Sequence, residues 1–430
     1  MTSNRRPRST SDDRELRLWR VGQALTVTFF TAVLVAGGVF YGLVYLLDFQ
    51  EIDSTAKLDA KTLFDLVKLS FGVVAGAGAL VALVVAYRRQ RVDEAGAHRE
   101  ATRLHTERFS QAVDKLGSDS PAVRLGGVHA LAGLADDAPD DSLRQTCIDV
   151  LCAYLQLPFT PDPGDDPAHQ EEHHRYLALR KVRHTILRLI GDHYRRPKGT
   201  HRSWQGCDLD LTGVTIDGSM NFRGAVFSGG EVSFGSATFS GGEVFFEDAT
   251  FSGGMMRFTG ARFSGGAVYF GGATFSGGDV SFDDAIFSDG TVAFSGATFS
   301  GGTMGFTGAR FSGGTVYFAD ATFSGGTLYL GGAVFSGSEV HFNEARFSDG
   351  EVDFGGTVFS GGEVHFDEAK FPDVDVSFSD PVSFGGAVFS GGEVSFDRAE
   401  GSAPSGLIAA IGTPVPATVT LPAVWLTPIP

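Results

Sequence analysis

A twelve-residue unit of the form A-x-F-S-G-G-x-V-x-F-x-x dominates the second half of this 430-residue chain. Between Phe227 and Phe371 its first phenylalanine recurs through twelve intervals without a change of register. Within each unit, apolar residues such as Ala237 and Phe239 alternate with polar ones, so they point to one side of an extended chain. One unit cannot bury its phenylalanines alone, so successive units must stack their rings along a continuous core. The repeat therefore predicts a β-solenoid.

The spacing of the phenylalanines alternates between five and seven residues. A small residue two positions before each central apolar residue, repeated every five residues, resembles the pentapeptide-repeat family, and the segment LDLTGVTI at 209–216 matches that pattern well. The resemblance covers residues 205–400 and implies a right-handed β-helix with four faces in each coil. Each Ser-Gly-Gly adds two residues to the family pattern. Because glycine permits positive φ, we expect enlarged corners there.

Two coil lengths are compatible with the repeat. Two units, 24 residues, complete a four-faced coil, whereas a flattened two-sided roll needs only 12. A 48-residue echo, with residues 255–270 recurring at 303–318, favours the even-numbered arrangement. The register changes by one residue at 378–384, where an Asp-Pro pair interrupts the pattern. The uncharged tail, 401–430, contains six prolines, so we expect a cap on the last coil or a disordered end instead of a third membrane span.

Two uncharged, mostly apolar runs precede the repeat, at residues 21–47 and 69–87. As helices they would be about 40 Å and about 28 Å long, enough for each to cross a bilayer. The first run is too long for a signal peptide, and a second run follows it. Arginines lie before the first run and directly after the second, so we expect both termini in the cytoplasm and residues 48–68 outside.

Each predicted span contains a small-xxx-small spacing, Gly38 with Gly42 and Gly72 with Gly76. This spacing lets two helix backbones approach closely, which would allow the spans to pack as a hairpin or as a homodimer. The sequence thus predicts a multi-pass cell-membrane protein held in the lipid bilayer by two transmembrane helices. Residues 1–20 form its basic cytoplasmic N-terminus.

Residues 88–204 show apolar side chains at helical spacing and are predicted to form a cytoplasmic α-helical domain. Gly117 ends one predicted helix, and Ser120 is placed as the N-cap of the next, with Pro121 at its first position. The stretch PAVRLGGVHALAGLAD at 121–136 resembles one helix of a HEAT-type repeat. The fold class is therefore multidomain α+β, with two transmembrane helices, a small HEAT-like segment and a C-terminal right-handed β-helix.

Acidic charge is concentrated in the solenoid. The net charge of the chain is −17, and residues 205–400 hold 26 Asp and Glu against 7 Lys and Arg. Residues 291–338 hold one acid and one base, whereas residues 339–400 hold 14 acids and 3 bases. The position before each inward apolar residue shows the change most clearly, running through Thr291, Thr303, Thr315 and Thr327 and then Glu339, Glu351 and Glu363.

Stacked carboxylates repel one another, because like charges directly opposite in a sheet destabilise it. A fold that keeps such a series can use it for a cationic partner. We therefore predict that residues 339–400 are the binding end of the solenoid and that an unknown basic protein binds there in a salt-dependent way. An acidic surface of this kind is not expected to bind nucleic acid directly.

Catalytic motifs are not found in the sequence. No GxxxxGK[ST] occurs, most repeats lack the aspartate of calcium-binding β-rolls, and the repeated serines have no histidine near each of them to act as base. His169 and His173 lie in HQEEH, but Gln170 stands where a metalloprotease needs glutamate. Three cysteines fit neither a disulfide framework nor a zinc site. We predict no enzyme, no cofactor and no catalytic or metal site.

Three functions are compatible with these features. A long, regular surface suits a membrane-anchored, non-catalytic scaffold for protein–protein interaction, which we favour. Pentapeptide-repeat proteins that mimic duplex DNA and occupy a topoisomerase such as gyrase also need an acidic rod, but the neutral residues 291–338 and the membrane anchor count against that alternative. A metal-binding surface is the third, because a 24-residue coil would stack Glu339 and His341 beneath Glu363 and His365.

Overall fold

The computed structural model describes residues 26–27, 29–31, 33–34, 38, 60–160, 162–164, 166–372 and 382–426. The chain divides into two units, Met1–Ala101 and Thr102–Pro430. Helix α1 (Ala60–Leu116) contains the second predicted span, 69–87, whereas most of the first, 21–47, lies outside the described residues. Within the described part of the chain, no helix combines the length and apolar character needed to cross a bilayer.

Helices fill the segment between α1 and the solenoid, as the apolar spacing predicts. They are α2 (Pro121–Asp136), α3 (Asp141–Gln156) and α4 (Gln170–Tyr194), the last preceded by a 3₁₀ turn, Pro167–His169. Ser120 lies at the N-cap of α2 with extended backbone and Pro121 begins the helix, as predicted, although the Ser120 side chain makes no capping hydrogen bond. By contrast, Asp140 caps α3, with its Oδ1 accepting from the Leu143 N–H at 2.8 Å. The HEAT-like assignment stays a prediction.

Two parallel sheets form the solenoid, with strands numbered in chain order. The first sheet contains β1 (Leu209–Asp210), β4 (Val226–Ser233), β7 (Thr250–Arg257), β9 (Thr274–Ser281), β11 (Thr298–Gly305), β14 (Thr322–Phe323), β15 (Thr327–Tyr329), β17 (Arg346–Phe347), β18 (Glu351–Asp353) and β20 (Val382–Ser383). The second sheet contains β2 (Thr215–Ile216), β3 (Met220–Asn221), β5 (Thr238–Phe239), β6 (Glu243–Phe245), β8 (Arg262–Tyr269), β10 (Ile286–Ala293), β12 (Arg310–Phe311), β13 (Thr315–Tyr317), β16 (Val334–His341), β19 (Val358–His365), β21 (Val388–Ser395) and β22 (Val419–Thr420).

The strand pairing shows that one coil contains 24 residues. Thr274 pairs with residues 24 positions before and after it, Thr250 and Thr298, and the intervening strands belong to the other sheet. The right-handed β-helix is therefore confirmed, and the two-sided roll of 12 residues is excluded. A 12-residue coil would stack consecutive units on one sheet. Here consecutive twelve-residue units lie on different sheets, although their sequences are nearly the same.

The last full coil is longer than the others. Val358 pairs with Val388, thirty residues further along the chain, and Val352 likewise pairs with Val382. The predicted one-residue change at 378–384 is thus a longer coil, and its extra residues lie before Val382, in a segment whose residues 373–381 are outside the described part. The repeat motif continues after the insertion, so the stack is maintained.

Phenylalanine rings fill the core in columns that follow the solenoid axis. In the longest column, neighbouring ring centroids are 4.7–5.0 Å apart and the rings are within 7° of parallel; its members are Phe222, Phe246, Phe270, Phe294, Phe318, Phe342, Phe366 and Phe396. Eight rings in one column correspond to about eight coils. Phe299, in another column, is only 5 % exposed, whereas its neighbour Thr298 is partly exposed, as the alternation predicts.

Helices α3 and α4 cover the first coil. Tyr194, at the end of α4, stacks on Phe227 with ring centroids 5.5 Å apart, and so continues that column of rings. Asp217 lies 2.8 Å from Arg180 Nε and 3.1 Å from His184 Nε2. Burial alone would raise the pKa of Asp217, but hydrogen bonds from His184 and Arg180 lower it to about 2.

Residues 401–426 cover the last coil. Trp425 lies edge-on to Phe371 and Phe396, with centroid distances of 5.7 and 5.6 Å, and its Nε1 donates a 2.9 Å hydrogen bond to the Gly401 carbonyl. A short helix, α5 (Leu407–Ile411), buries both of its terminal residues. Of the two alternatives for the tail, a cap is therefore observed over the residues that the structure describes.

Candidate functional site

The acidic residues of the distal coils fall on both sheets, not on one. On the second sheet, Glu339 pairs with Glu363, which in turn pairs with Glu393. Glu351 lies on the first sheet, where it follows Thr327. The series of glutamates predicted from sequence therefore divides in two. We call Glu339, Glu363 and Glu393 the acidic column.

The acidic column continues a column of threonines. Thr291 pairs with Thr315, and Thr315 pairs with Glu339. The side chains of Glu339 and Glu363 are 57 % and 54 % exposed. Because hydrogen-bonded strands lie about 4.8 Å apart, carboxylates on successive coils are close enough to repel one another. The same outward position is thus neutral in one part of the solenoid and strongly anionic in the next.

Glu393 could not be found from a 24-residue register, because the longer last coil places it thirty residues after Glu363. A signal was nevertheless present. The longer pattern FGGxVFSGGEVxFDxA occurs at 354–369 and again at 384–399, which indicates that the two segments stack on each other. The structure confirms this pairing from Val358 to His365.

Two stacked histidines lie beside the acidic column. The rings of His341 and His365 are 5.2 Å apart and within 11° of parallel, and Tyr317 stacks on His341 at 4.9 Å. His365 Nε2 is 3.3 Å from Glu363 Oε2, and its Nδ1 is 3.5 Å from an oxygen of Asp367. The predicted stacking of the two Glu/His pairs is confirmed.

Metal ligation is not supported by the arrangement of these groups. Across the described ranges, no set of three or more His, Cys, Asp or Glu side chains is placed to hold a metal ion. His169 lies in the 3₁₀ turn before α4, while His173 lies on α4 with its Nδ1 2.7 Å from Asp162.

The corners of the distal coils also carry carboxylates. Glu344 and Glu368 adopt φ values of 57° and 59°, in the left-handed region. One coil before Glu344 the same corner holds Asp320, also left-handed at a φ of 59°, and two coils before it Gly296, for which such a φ has no steric cost. A glutamate there costs roughly 1 kcal/mol or more. Arg398, in the next coil, forms an ion pair of 2.7 Å with Glu368 and so neutralises part of this edge.

The cysteines are free thiols with little nucleophilic character. Burial raises the pKa of Cys147 and of Cys207 to about 11 and that of Cys152 to about 12. Nucleophilic attack and metal ligation by cysteine both need the thiolate. These three side chains therefore stay protonated at neutral pH.

Comparison of the chain with protein-family models, with curated proteins and with solved structures finds no match. The geometry of the solenoid is therefore what bears on function. A repeat fold of this kind, with a rigid core and outward positions that vary freely, suits a scaffold for protein interactions.

Proposed function

We propose that the protein is a non-catalytic scaffold of the pentapeptide-repeat family, which presents the acidic column to a basic surface of a partner protein. One observation carries the proposal. The outward column that contains Thr291 and Thr315 changes to three successive glutamates while the phenylalanine core beneath it is unchanged. The core does not require the change from threonine to glutamate. A role of the glutamates in binding at the surface is therefore its most direct explanation.

The chemistry of the partner follows from the electrostatics of the column. Stacked carboxylates are destabilised by their mutual repulsion, and lysine or arginine side chains placed opposite them would relieve it. Because these carboxylates are exposed, the attraction would be screened by salt over about 10 Å at 0.1 M ionic strength. The complex is thus expected to form rapidly, and its affinity is expected to fall strongly as salt is added.

The experiment compares two triple variants of the full-length protein in pull-downs at low and high salt. Replacing Glu339, Glu363 and Glu393 by threonine should abolish the salt-sensitive capture of proteins. The matched control replaces three acids outside the column, Glu243, Asp279 and Glu351, by threonine, and should retain capture. Equal loss in both variants would mean that overall charge, not the column, determines binding, and the proposal would then fail.

We also propose that the protein is anchored in the cell membrane. Two spans, at 21–47 and 69–87, would anchor the scaffold in the cell membrane with both termini in the cytoplasm, because arginines lie on the outer flanks of the two runs. A reporter that is active only in the cytoplasm should work when fused after Ser203. A reporter active only outside should work in the loop near Thr55. Activity of the second reporter at Ser203 would contradict this topology.

A further inference from the structure

A second outward column on the second sheet consists mainly of aromatic rings, and we call it the aromatic column. Strand pairing places its members one coil apart: Asn221, Phe245, Tyr269, Ala293, Tyr317, His341 and His365. Phe245 stacks on Tyr269 at 5.5 Å, and Tyr317 stacks on His341 at 4.9 Å. Ala293 therefore interrupts a series of stacked rings. We call the space over Ala293, between Tyr269 and Tyr317, the tyrosine slot.

The tyrosine slot has the width of one missing ring. Tyr269 and Tyr317 pair with Ala293 from opposite sides, so the two strands that carry them are about 10 Å apart. A planar group midway between the two tyrosines would lie about 5 Å from each, as neighbouring rings of the column do. Each tyrosine is already held on its outer side by the next ring of the column. The slot is thus formed before a ligand arrives, which reduces the entropic cost of binding.

Uncharged side chains line the tyrosine slot. Thr291 lies two residues before Ala293 on the same strand and is likewise partly exposed, so both side chains are on the outward face. The neighbouring strands begin with arginines, Arg262 and Arg310, which precede the two tyrosines by seven residues and lie beyond the bulge at Asp289. The slot therefore offers two tyrosine faces with a hydroxyl group at one side.

The proximal end of the aromatic column shows which planar group can replace a ring. There the guanidinium of Arg223 lies over Phe245 at 3.9 Å, in the coil where the column residue is Asn221. Glu247 accepts two hydrogen bonds from this guanidinium, at 2.6 and 3.0 Å. The face of an aromatic ring attracts a cation, and the tyrosine slot presents two such faces to one group.

Carboxylates on the same face favour a cation over a neutral ring in the slot. Glu339, the first member of the acidic column, lies two coils after Thr291, and its Oε2 is 3.7 Å from Nε2 of His341. The acidic and aromatic columns are therefore neighbours. In the other direction, Glu243 lies two coils before Thr291. Two coils correspond to about 10 Å along the axis, a distance over which salt only partly screens the attraction.

We infer that the tyrosine slot binds the guanidinium of an arginine in the basic partner, stacked between Tyr269 and Tyr317, while further basic side chains meet the acidic column. This inference rests on the proposed function and specifies one residue type of the partner. Lysine fits the slot less well, because its compact ammonium group cannot stack on two rings as a planar guanidinium does. A phenylalanine would fit the shape of the slot but not the carboxylates beside it.

The test measures the affinity of the full-length protein for two peptides of equal charge, one alternating arginine with glycine and the other alternating lysine with glycine. The unaltered protein should bind the arginine peptide about tenfold more tightly. Ala293→Tyr fills the slot with a ring of the protein itself, so most of this preference should be lost. The matched control is Ser281→Tyr, which adds a tyrosine at the same position of the preceding unit, on the first sheet. It should keep the preference.

A second readout tests the geometry of the slot without a ligand. Ala293→Tyr should unfold at a higher denaturant concentration than the unaltered protein, because the added ring completes the stack between Tyr269 and Tyr317. Should this variant fail to fold, Tyr317→Ala replaces it in the binding experiment. Removal of one wall of the slot should also reduce the preference for arginine.

The possible results separate this inference from the proposed function. An unchanged preference for arginine in Ala293→Tyr would overturn the inference, as would an equal loss in Ser281→Tyr. A peptide of lysine and phenylalanine that binds more tightly than the arginine peptide, or self-association that Ala293→Tyr abolishes, would assign the slot to another occupant and contradict it. Replacing the three glutamates of the acidic column by threonine should weaken both peptides and leave the preference for arginine. If that variant binds both peptides like the unaltered protein, the proposed function fails, whereas loss of the preference in Ala293→Tyr would still support the slot.

Discussion

The neutral coils at 291–338 and the acidic coils at 339–400 share one core and differ in their surface. Phe294 and Phe318 stack at 4.9 Å in the neutral coils, and Phe342 and Phe366 stack at 4.8 Å in the acidic coils. The outward column nevertheless changes from threonine to glutamate at Glu339. Stacking of the rings therefore specifies the fold, whereas the outward positions are free to be used for binding.

The difference between the two regions is energetic as well as chemical. Threonines on successive strands pack well on a β surface, and each such pair is mildly stabilising. Glutamates in the same places repel one another. The left-handed corner that Asp320 occupies in the neutral coils is taken in the acidic coils by Glu344 and Glu368, which lack the short side chain that eases this backbone. The acidic coils are therefore expected to be the less stable of the two in the absence of a partner.

The largest predicted effect comes from breaking the core that both regions share. Phe299→Asp in the neutral coils and Phe359→Asp in the acidic coils should each destabilise the solenoid by several kcal/mol, because each buries an unpaired charge. Thr298→Asp, one residue from Phe299 and outward, should be tolerated. Chemical unfolding monitored by circular dichroism measures the free energy of unfolding of the three variants. Equal damage from Thr298→Asp would show that the inward phase is wrongly assigned.

A smaller effect is predicted for the surface that distinguishes the two regions. Replacing Glu339, Glu363 and Glu393 by threonine should raise the free energy of unfolding by roughly 0.2–1 kcal/mol for each repulsive contact removed. Adding salt should reduce this gain, since screening weakens the repulsion in the unaltered protein. The converse change, Thr315→Glu, should lower stability at low salt. A gain that is the same at low and high salt would mean that the carboxylates do not repel one another in the folded state.

The sequence was sufficient to predict the solenoid and its inward phase, because a period of twelve residues with alternating polarity permits few other folds. The sequence left the coil length open, because nearly identical units do not show whether consecutive units lie on one sheet or on two. That is why Glu351 seemed to belong with Glu339 and Glu363, although it lies on the other sheet.

Near the ends of the solenoid, the repeat pattern did not predict every contact. The insertion before Val382 concealed the pairing of Glu363 with Glu393, and Ser120 had the right residue type and position for a cap without making the hydrogen bond. The tail acts as a cap because Trp425 packs against the last rings, Phe371 and Phe396. A contact of this kind is tertiary, and no local pattern in 401–430 specifies it.

The most direct test moves the charge without changing its amount. A variant with Glu339→Thr and Glu363→Thr together with Thr291→Glu and Thr315→Glu keeps the net charge of −17 and shifts the glutamates to the neutral coils. Pull-down at low salt, quantified against the unaltered protein, is the measurement. If the distal coils are the binding end, the shifted variant loses its captured partner although its net charge is unchanged. Full retention of the partner would contradict the account, because binding would then follow total charge and not the place of the column.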